Sequence, residues 1–395
     1  MLNQTFNPKS LMNIISDDDI KKHCLGKDKS EIMTAITSIS YHVSQDDFKF
    51  EKITKRRIDN KEEKYIFFTK DKNEFFAIKK INHILKRIYK IEHNGRNEIL
   101  KQVIDIINDG SSYQIIRADI KSFFESVNRS ILIDKIKKDS LLSSLMIKKL
   151  NALDRFLLSE NFSGLPRGLS LSSTLSELYL RNFDRSIKSN SNVYFYSRYV
   201  DDIIIICLDN INEVEDLVRK KLEELDLSLN DKYKKINNIK KNDEFDYLGV
   251  KFRFDKKSVD FLLSSNKINK IKTRIIKSIV DYGINKNESL LLERIEFLTG
   301  NYKLYTKTES NNLKAGIYYN NQYINNFSQL NELDSFLRKS LTAKKGSLSK
   351  ITKTIPSDTV SKCMRYSFFR GYINKKIINL SDKKTIQIVR CWKYV

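Results

Sequence analysis

Three acidic residues, Asp119, Asp201 and Asp202, adjoin strongly apolar runs. Asp119 ends the run Tyr113–Asp119 (YQIIRAD), which alternates like a strand emerging from a core. Asp201 and Asp202 are bracketed by Tyr199-Val200 and the run Ile203–Cys207 (IIIIC), so two adjacent negative charges lie in a stretch under pressure to be buried. Asp-Asp in a turn, or Asp at a strand end, is ordinarily a capping or solvated feature. Here burial would cost several kcal/mol unless the charges are paired or bound to a cation. Mg²⁺ suits such a set, because it takes one or two carboxylates and completes its shell with phosphate oxygens and water. Two such ions about 3.5–4 Å apart, with Mn²⁺ as a substitute, would activate a hydroxyl and stabilise a leaving pyrophosphate.

The elements that must position these acids are legible from periodicity. Val193–Tyr199 and Ile203–Cys207 are β-rich runs joined only by Val200-Asp201-Asp202, a tight hairpin. Ser163–Gly168 (SGLPRG) is a turn that opens a helix from Ser170, with Leu171, Leu175, Leu178, Tyr179 and Phe183 at helical spacing. A second helix carries Ile211, Val214, Leu217, Val218, Leu222 and Leu225 on one face. Leu227-Ser228-Leu229 and Phe245–Phe254 complete the strands. The order through Leu229 is β-α-β-β-α-β, the ferredoxin-like arrangement, in which the strand ending at Asp119 neighbours the hairpin. Upstream, residues 1–60 read as short helices with a cap-like Ser16-Asp17-Asp18-Asp19. Residues 50–70 read as a hairpin turning at Asp59-Asn60-Lys61, and 75–109 as two basic helices separated by His93-Asn94-Gly95.

Lys+Arg number 72 against 49 Asp+Glu in 395 residues, a net charge of +23 that points to a polyanionic partner. Drift toward Lys, Ile and Asn would raise the same count, so the placement of the cations matters more than their number. The four cysteines are far apart and there are only four histidines, so no zinc cluster is readable. A reduced, cytoplasmic protein is the natural expectation. The N-terminal MLNQTFNPKS lacks a signal-peptide layout, and the run Ile203–Cys207 is far too short to span a membrane.

The motifs resemble those of a known family. Phe195–Cys207 (FYSRYVDDIIIIC) resembles the Tyr-x-Asp-Asp box of reverse transcriptases, and Arg117–Val127 (RADIKSFFESV) their first catalytic motif. Leu165–Gly168 (LPRG) is similar to the family's Leu-Pro-Gln-Gly. Leu229-Asn230 followed by Lys232 and Lys234 looks like the lysine-bearing segment, and Phe245–Gly249 (FDYLG) like the primer-grip turn. These five motifs follow the family's order over roughly 110–255. The fold implied is α+β: a right-hand polymerase with a ferredoxin-like βαββαβ palm, mainly helical fingers and a helical thumb. The expected boundaries are an N-terminal extension over 1–70, fingers over 71–116, and a palm over 117–254 with an inserted helical segment at about 130–162. A basic helical thumb and C-terminal region over 255–395 follows.

Residue by residue, the resemblance implies that Asp119, Asp201 and Asp202 hold the metals, with the Ile120 carbonyl as a further ligand. Phe124 falls at the sugar gate, where an aromatic ring would clash with a ribose 2′-hydroxyl and so favour deoxynucleotides; the plain alternative is a core Phe beside Phe123. Gly168 would let backbone approach the incoming base pair. Arg167 replaces the family's glutamine with a cation for a phosphate or the template backbone. Either Lys232 or Lys234 would protonate pyrophosphate. Of the basic residues Lys79, Lys80, Lys86, Arg87, Lys90 and Arg96, which are more than a triphosphate needs, Arg96 is the chosen nucleotide contact. Tyr199, Tyr247, Leu248 and Gly249 would face the primer. Lys267, Lys270, Arg274 and Lys277 recur along a helix whose other face carries Ile268, Ile271, Ile275 and Ile279, a pattern suited to tracking a duplex backbone or simply to a solvated face.

No RNase H acid set, protease or Cys/His-rich tail is legible, so the chain looks like the bacterial retron and defence-associated enzymes. Phe297–Gly300 (FLTG) is similar to a retron signature, and the segment Arg96–Val127 resembles the antiviral group, including its type 3 systems. The implied partners are an RNA template (a noncoding RNA), a DNA product, deoxynucleotides, and a second reverse transcriptase or second copy of the chain, with no membrane. Two rival functions stay open: a catalytically silent RNA-binding scaffold, and untemplated or protein-primed DNA synthesis.

Overall fold

The computed structural model describes residues 2–58, 64–92, 95–231, 233–237, 239–255, 258–304 and 313–392. The chain divides into two units, Met1–Ile99 with Ser112–Asn238, and Leu100–Ser111 with Ile239–Val395.

In the first unit, a four-stranded sheet follows from the β-branched run after the acid pair. The strand Asp202–Cys207 has four consecutive isoleucines, all with no exposed surface, as befits a strand covered on both faces. It pairs antiparallel with Val193–Tyr199 on one side and Gln114–Asp119 on the other. Gln114–Asp119 in turn pairs antiparallel with Lys234–Ile236. Taken in chain order the strands are arranged second, third, first, fourth, which is the ferredoxin-like order. The helices Leu171–Lys188 and Ile211–Glu223 supply the two crossovers. Their apolar faces (Leu171, Leu175, Leu178 and Phe183; Val214, Val218 and Leu222) lie in one core with the sheet. The fold is α+β, with the βαββαβ order expected of the first unit.

One strand lies elsewhere than expected. Leu227-Ser228-Leu229 is not a strand; it makes a single isolated bridge, Leu229 opposite Ile120. The fourth strand is Lys234–Ile236, where only Ile236 is buried. Two lysines in three residues gave the sequence no strand signal, whereas Leu-Ser-Leu alternated like one.

The N-terminal segment joins the palm's core through Phe6, through Leu11 of the helix Pro8–Met12 and through Ile36, Ile39 and Val43 of the helix Lys29–Ser44, with Ile20 of the helix Asp17–His23 packed against it. Ser16 caps Asp17–His23 in a reciprocal box with Asp19. The strands Ile53–Arg57 and Tyr65–Thr69 form the expected hairpin, and the helices Lys72–Ile88 and Arg96–Ile107 follow. The proposed turn Asp59-Asn60-Lys61 and residues His93 and Asn94 lie outside the described residues. Helices Arg129–Lys138 and Ser144–Ser159 fill the segment between the first strand and the LPRG turn.

The second unit contains the sheet Glu244–Tyr247, Val250–Phe254 and Val259–Leu263 and the 21-residue helix Ser265–Asn285. Helices Glu288–Thr299 and Ser328–Leu341 pack with it around Ile275, Ile279, Leu291, Ile295, Leu333 and Leu337. A three-stranded sheet of Leu313–Gly316, Asn301–Leu304 and Ile377–Asn379 is an addition to the helical region expected there. FLTG ends a helix and leads into that sheet, with Phe297 stacked 4.0 Å from Tyr302. Among the described residues no helix is long and apolar enough to cross a membrane, and all four cysteines are free thiols.

Candidate active site

Asp119 and Asp202 lie directly opposite each other in the register of the two central strands, and Tyr199 faces Asp202 from the other side. Asp201 occupies the turn, and its carbonyl accepts the Ile120 N–H at 3.2 Å. The three acids are therefore brought together at one sheet edge, each half-buried. The turn is strained: Val200 has φ +61°, a left-handed conformation disfavoured for a β-branched side chain and costing roughly 1–3 kcal/mol. Such a conformation persists only where the surroundings impose it.

Those surroundings include residues that sequence reasoning missed. Arg198 is buried beneath the turn and donates to the Val200 carbonyl at 2.7 Å. Its guanidinium also reaches Asp184 at 2.8 and 2.9 Å and Glu177 at 2.6 and 3.2 Å, while the Tyr196 hydroxyl donates to Asp184 at 2.5 Å. The two carboxylates hold the arginine well above its ordinary pKa despite burial. Glu177 and Asp184 are two turns apart on one helix, among apolar core positions. That spacing was the signal available: paired acids near a core face require a buried cation.

Asn230 is another positioning group. Its side-chain amide donates to Asp119 Oδ2 at 3.0 Å and its backbone N–H to the Asp119 carbonyl at 2.7 Å. Lys121 N–H donates to the Ser228 carbonyl at 2.9 Å. The bridge between Ile120 and Leu229 thus runs through the neighbours on either side, and the Ile120 carbonyl takes no part in it.

The electrostatics are those of crowded acids. Burial, reinforced by the Asp119 charge, raises the Asp201 pKa above the usual carboxylate range. Burial also pushes Asp202 up to about 6, opposed by Arg117 and assisted by Asp119 and Asp201. Arg117 pairs with one Asp202 oxygen at 2.6 Å. Among the described residues, no three His, Cys, Asp or Glu side chains form a ready-made metal cage. A hard divalent ion that takes one or two carboxylates and arrives with substrate phosphates still fits three crowded acids, two of them with pKa values raised by burial.

Phe124 lies in the short helix Phe123–Ser126, not on a strand, so the two rings diverge by a helical step. Phe123 is fully buried and Phe124 half-buried. The LPRG turn packs against this helix: Leu165 N–H donates to the Phe124 carbonyl at 2.6 Å, and a Cβ on Gly164 would come within 2.6 Å of the Glu125 Cα. Arg167, expected to reach a phosphate or the template, donates from two nitrogens to Glu125 at 2.7 and 3.0 Å. Its guanidinium lies 4.7 Å from the centre of the Phe124 ring. Gly168, at φ +95°, is exposed, and the close approach it permits here is to the Phe67 carbonyl, 2.6 Å from where a Cβ would stand. Phe67 N–H in turn donates to the Arg167 carbonyl at 2.7 Å.

The remaining residues fall as follows. Arg96 is half-buried at the first position of its helix and touches Asn97. Lys79 pairs with Asp19, and Lys80 is buried with its amine on the Asn3 carbonyl, so both have structural partners. Lys234 is exposed on the fourth strand in register with Arg117, and Lys232 lies outside the described residues. Tyr247, Leu248 and Gly249 belong to the second unit. Leu248 (φ +46°) and Gly249 (φ +75°) form a two-residue turn closed by Tyr247 opposite Val250, the conformation that matches strand twist. On the helix Ser265–Asn285, Lys267 binds Asn321 at 2.7 Å and Arg274 lies 5.7 Å from the Trp392 ring centre. Lys270 is exposed and Lys277 half-buried.

The first unit thus has the ferredoxin-like strand order of a polymerase palm, with three acids brought together where its first strand meets the hairpin. Residues 32–252 match the family Reverse transcriptase (RNA-dependent DNA polymerase), and the chain belongs to that family. No curated protein matches the sequence. Among solved structures the chain is similar to telomerase from Candida albicans in complex with a fragment of telomeric RNA (14% identity, TM-score 0.37, covering 80% of this chain and 54% of that one). It is also similar to apo telomerase from Candida tropicalis (13% identity, TM-score 0.40, 87% and 64%). The chain thus spans between about half and two thirds of those proteins' length.

Proposed function

We propose that this chain is an RNA-directed DNA polymerase that adds deoxynucleotides to a primer at Asp119, Asp201 and Asp202. The observation that carries the reading is the Asp119–Asp202 register across the central strands, beside a Val200 turn held in a costly conformation by Arg198. Two Mg²⁺ ions bound by the three carboxylates and the Ile120 carbonyl would supply an activated 3′-hydroxyl and neutralise the leaving pyrophosphate. The chain's own residues do the rest. Asn230 orients Asp119, and Arg117 restrains one oxygen of Asp202. Phe124 excludes a ribose 2′-hydroxyl, and Lys234 or Lys232 supplies a proton to pyrophosphate. Tyr199, the Tyr247–Gly249 turn and the basic residues Lys267, Lys270, Arg274 and Lys277 bind primer and template.

The finer reading is a cytoplasmic bacterial enzyme of the defence-associated group, copying a noncoding RNA alongside a second polymerase or a second copy of itself. It rests on the motif segment Arg96–Val127 and on the net charge of +23. Sequencing the nucleic acid that copurifies, together with any DNA made from it, identifies template, primer and product. DNA complementary to a bound RNA supports the reading. Bound RNA without DNA, in the presence of Mg²⁺ and deoxynucleotides, would instead make the chain an RNA-binding scaffold.

A further inference from the structure

Away from the acid cluster, the first unit contains a second polar concavity of about 300 Å³, at the lower end of the roughly 300–1,000 Å³ typical of ligand pockets. Its walls come from Arg181, Arg185 and Lys188 on the helix Leu171–Lys188 and from Lys90 and Glu92 just beyond the helix Lys72–Ile88. Buried Tyr196 and Arg198 lie at its base. Five cations line it against the carboxylates of Glu92, Glu177 and Asp184, and Arg198 already engages the last two. Lys90 and Arg185 have no carboxylate partner among the described residues. Lys188 lies 5.7 Å from the Tyr196 ring centre, and Arg181 gives one N–H to the Tyr89 carbonyl.

We propose that this cavity is a phosphate-binding site, distinct from the polymerase centre, that takes the phosphate of a nucleic-acid backbone or of a free nucleotide. Guanidinium forks match phosphate oxygens, and cations gathered in a concavity focus anions more strongly than the same charges on a flat face. A solvated basic face would explain Lys188, but it does not explain why Lys90, Arg181 and Arg185 converge with it on one concavity. The same Arg198 donates to the Val200 carbonyl, so a bound phosphate would lie one guanidinium away from the turn that carries Asp201 and Asp202.

The test uses the full chain in EDTA, which leaves polymerase chemistry out of the measurement. Affinity for an oligouridylate as a function of salt, and for ATP, is measured for wild type, Arg185→Glu, Lys90→Glu and the control Arg155→Glu, an exposed cation outside the cavity. All three substitutions are at exposed positions, and unchanged melting temperatures confirm the fold. If a backbone phosphate occupies the site, each cavity variant weakens oligouridylate binding more than the control does, and the log–log salt slope flattens by about 0.7 for each lost contact. If a free nucleotide is the ligand, ATP binding weakens at least about tenfold while RNA binding tracks the control. Cavity variants indistinguishable from Arg155→Glu with both probes would overturn the proposal.

Discussion

Arg167 and Glu125 form a two-pronged ion pair at 2.7 and 3.0 Å that places the Arg167 guanidinium over the Phe124 ring. The pair is half-buried and joins the LPRG turn to the helix carrying the expected sugar gate. An arginine in the glutamine's place is therefore anchored to Glu125 and the Phe124 ring within this chain. Phe124→Ala is expected to lower discrimination against ribonucleotides by at least about tenfold, or ~1.4 kcal/mol. Glu125→Gln, which removes the charge opposite the guanidinium without removing the ring, is expected to move it in the same direction by less. Single-nucleotide incorporation with dNTP and rNTP pairs measures both; unchanged ratios in Phe124→Ala would remove the gate.

The acid cluster has a defined pH signature. The Asp202 pKa is raised on folding, from 3.8 to about 6, so the folded protein binds this proton more tightly than the unfolded chain. The resulting stabilisation is present in full below about pH 4 and is lost as pH rises through about 6. A divalent cation acts oppositely, since it binds the ionised carboxylates. In EDTA, the melting temperature is expected to fall between about pH 5 and 7 in wild type and to fall less in Asp202→Asn. Stabilisation by Mn²⁺ is expected to grow over the same interval. Thermal melts across pH with and without the metal check this, and a Mn²⁺ effect independent of pH would contradict the assignment.

Arg198 provides a stability test. Removing it leaves half-buried Asp184 and Glu177 without their cation, so Arg198→Ala is expected to cost about 1.5–3 kcal/mol, the worth of a hydrogen bond to a charged group. Breaking the more exposed Lys221–Glu224 pair should cost at most about 0.5 kcal/mol. Urea denaturation of the two variants distinguishes a network that holds the Val200 turn from one more surface ion pair.

How much of this was legible in sequence depends on range. Asp119, Asp201 and Asp202 were readable because local alternation and an Ile run fix their strands, and two strands and a hairpin suffice to align them. The last palm strand was misplaced because Lys234–Ile236 owes its position to pairing with Ile115–Arg117 and not to its own composition. Arg198 and Arg167 resisted for a related reason. Their partners are 14 to 42 residues away, and nothing local announces a pairing that only the folded palm creates. The Glu177 and Asp184 spacing came closest to revealing one.

The most direct measurement is primer extension on an RNA template with Mg²⁺ and deoxynucleotides, comparing wild type with Asp201→Asn and Asp202→Asn. Both substitutions keep the side-chain shape and relieve repulsion, so folding should be retained, which melting temperatures verify. Expected is robust DNA synthesis by wild type and a loss of at least about 100-fold in each variant. Either variant extending the primer at close to the wild-type rate would contradict a polymerase centre built on these acids.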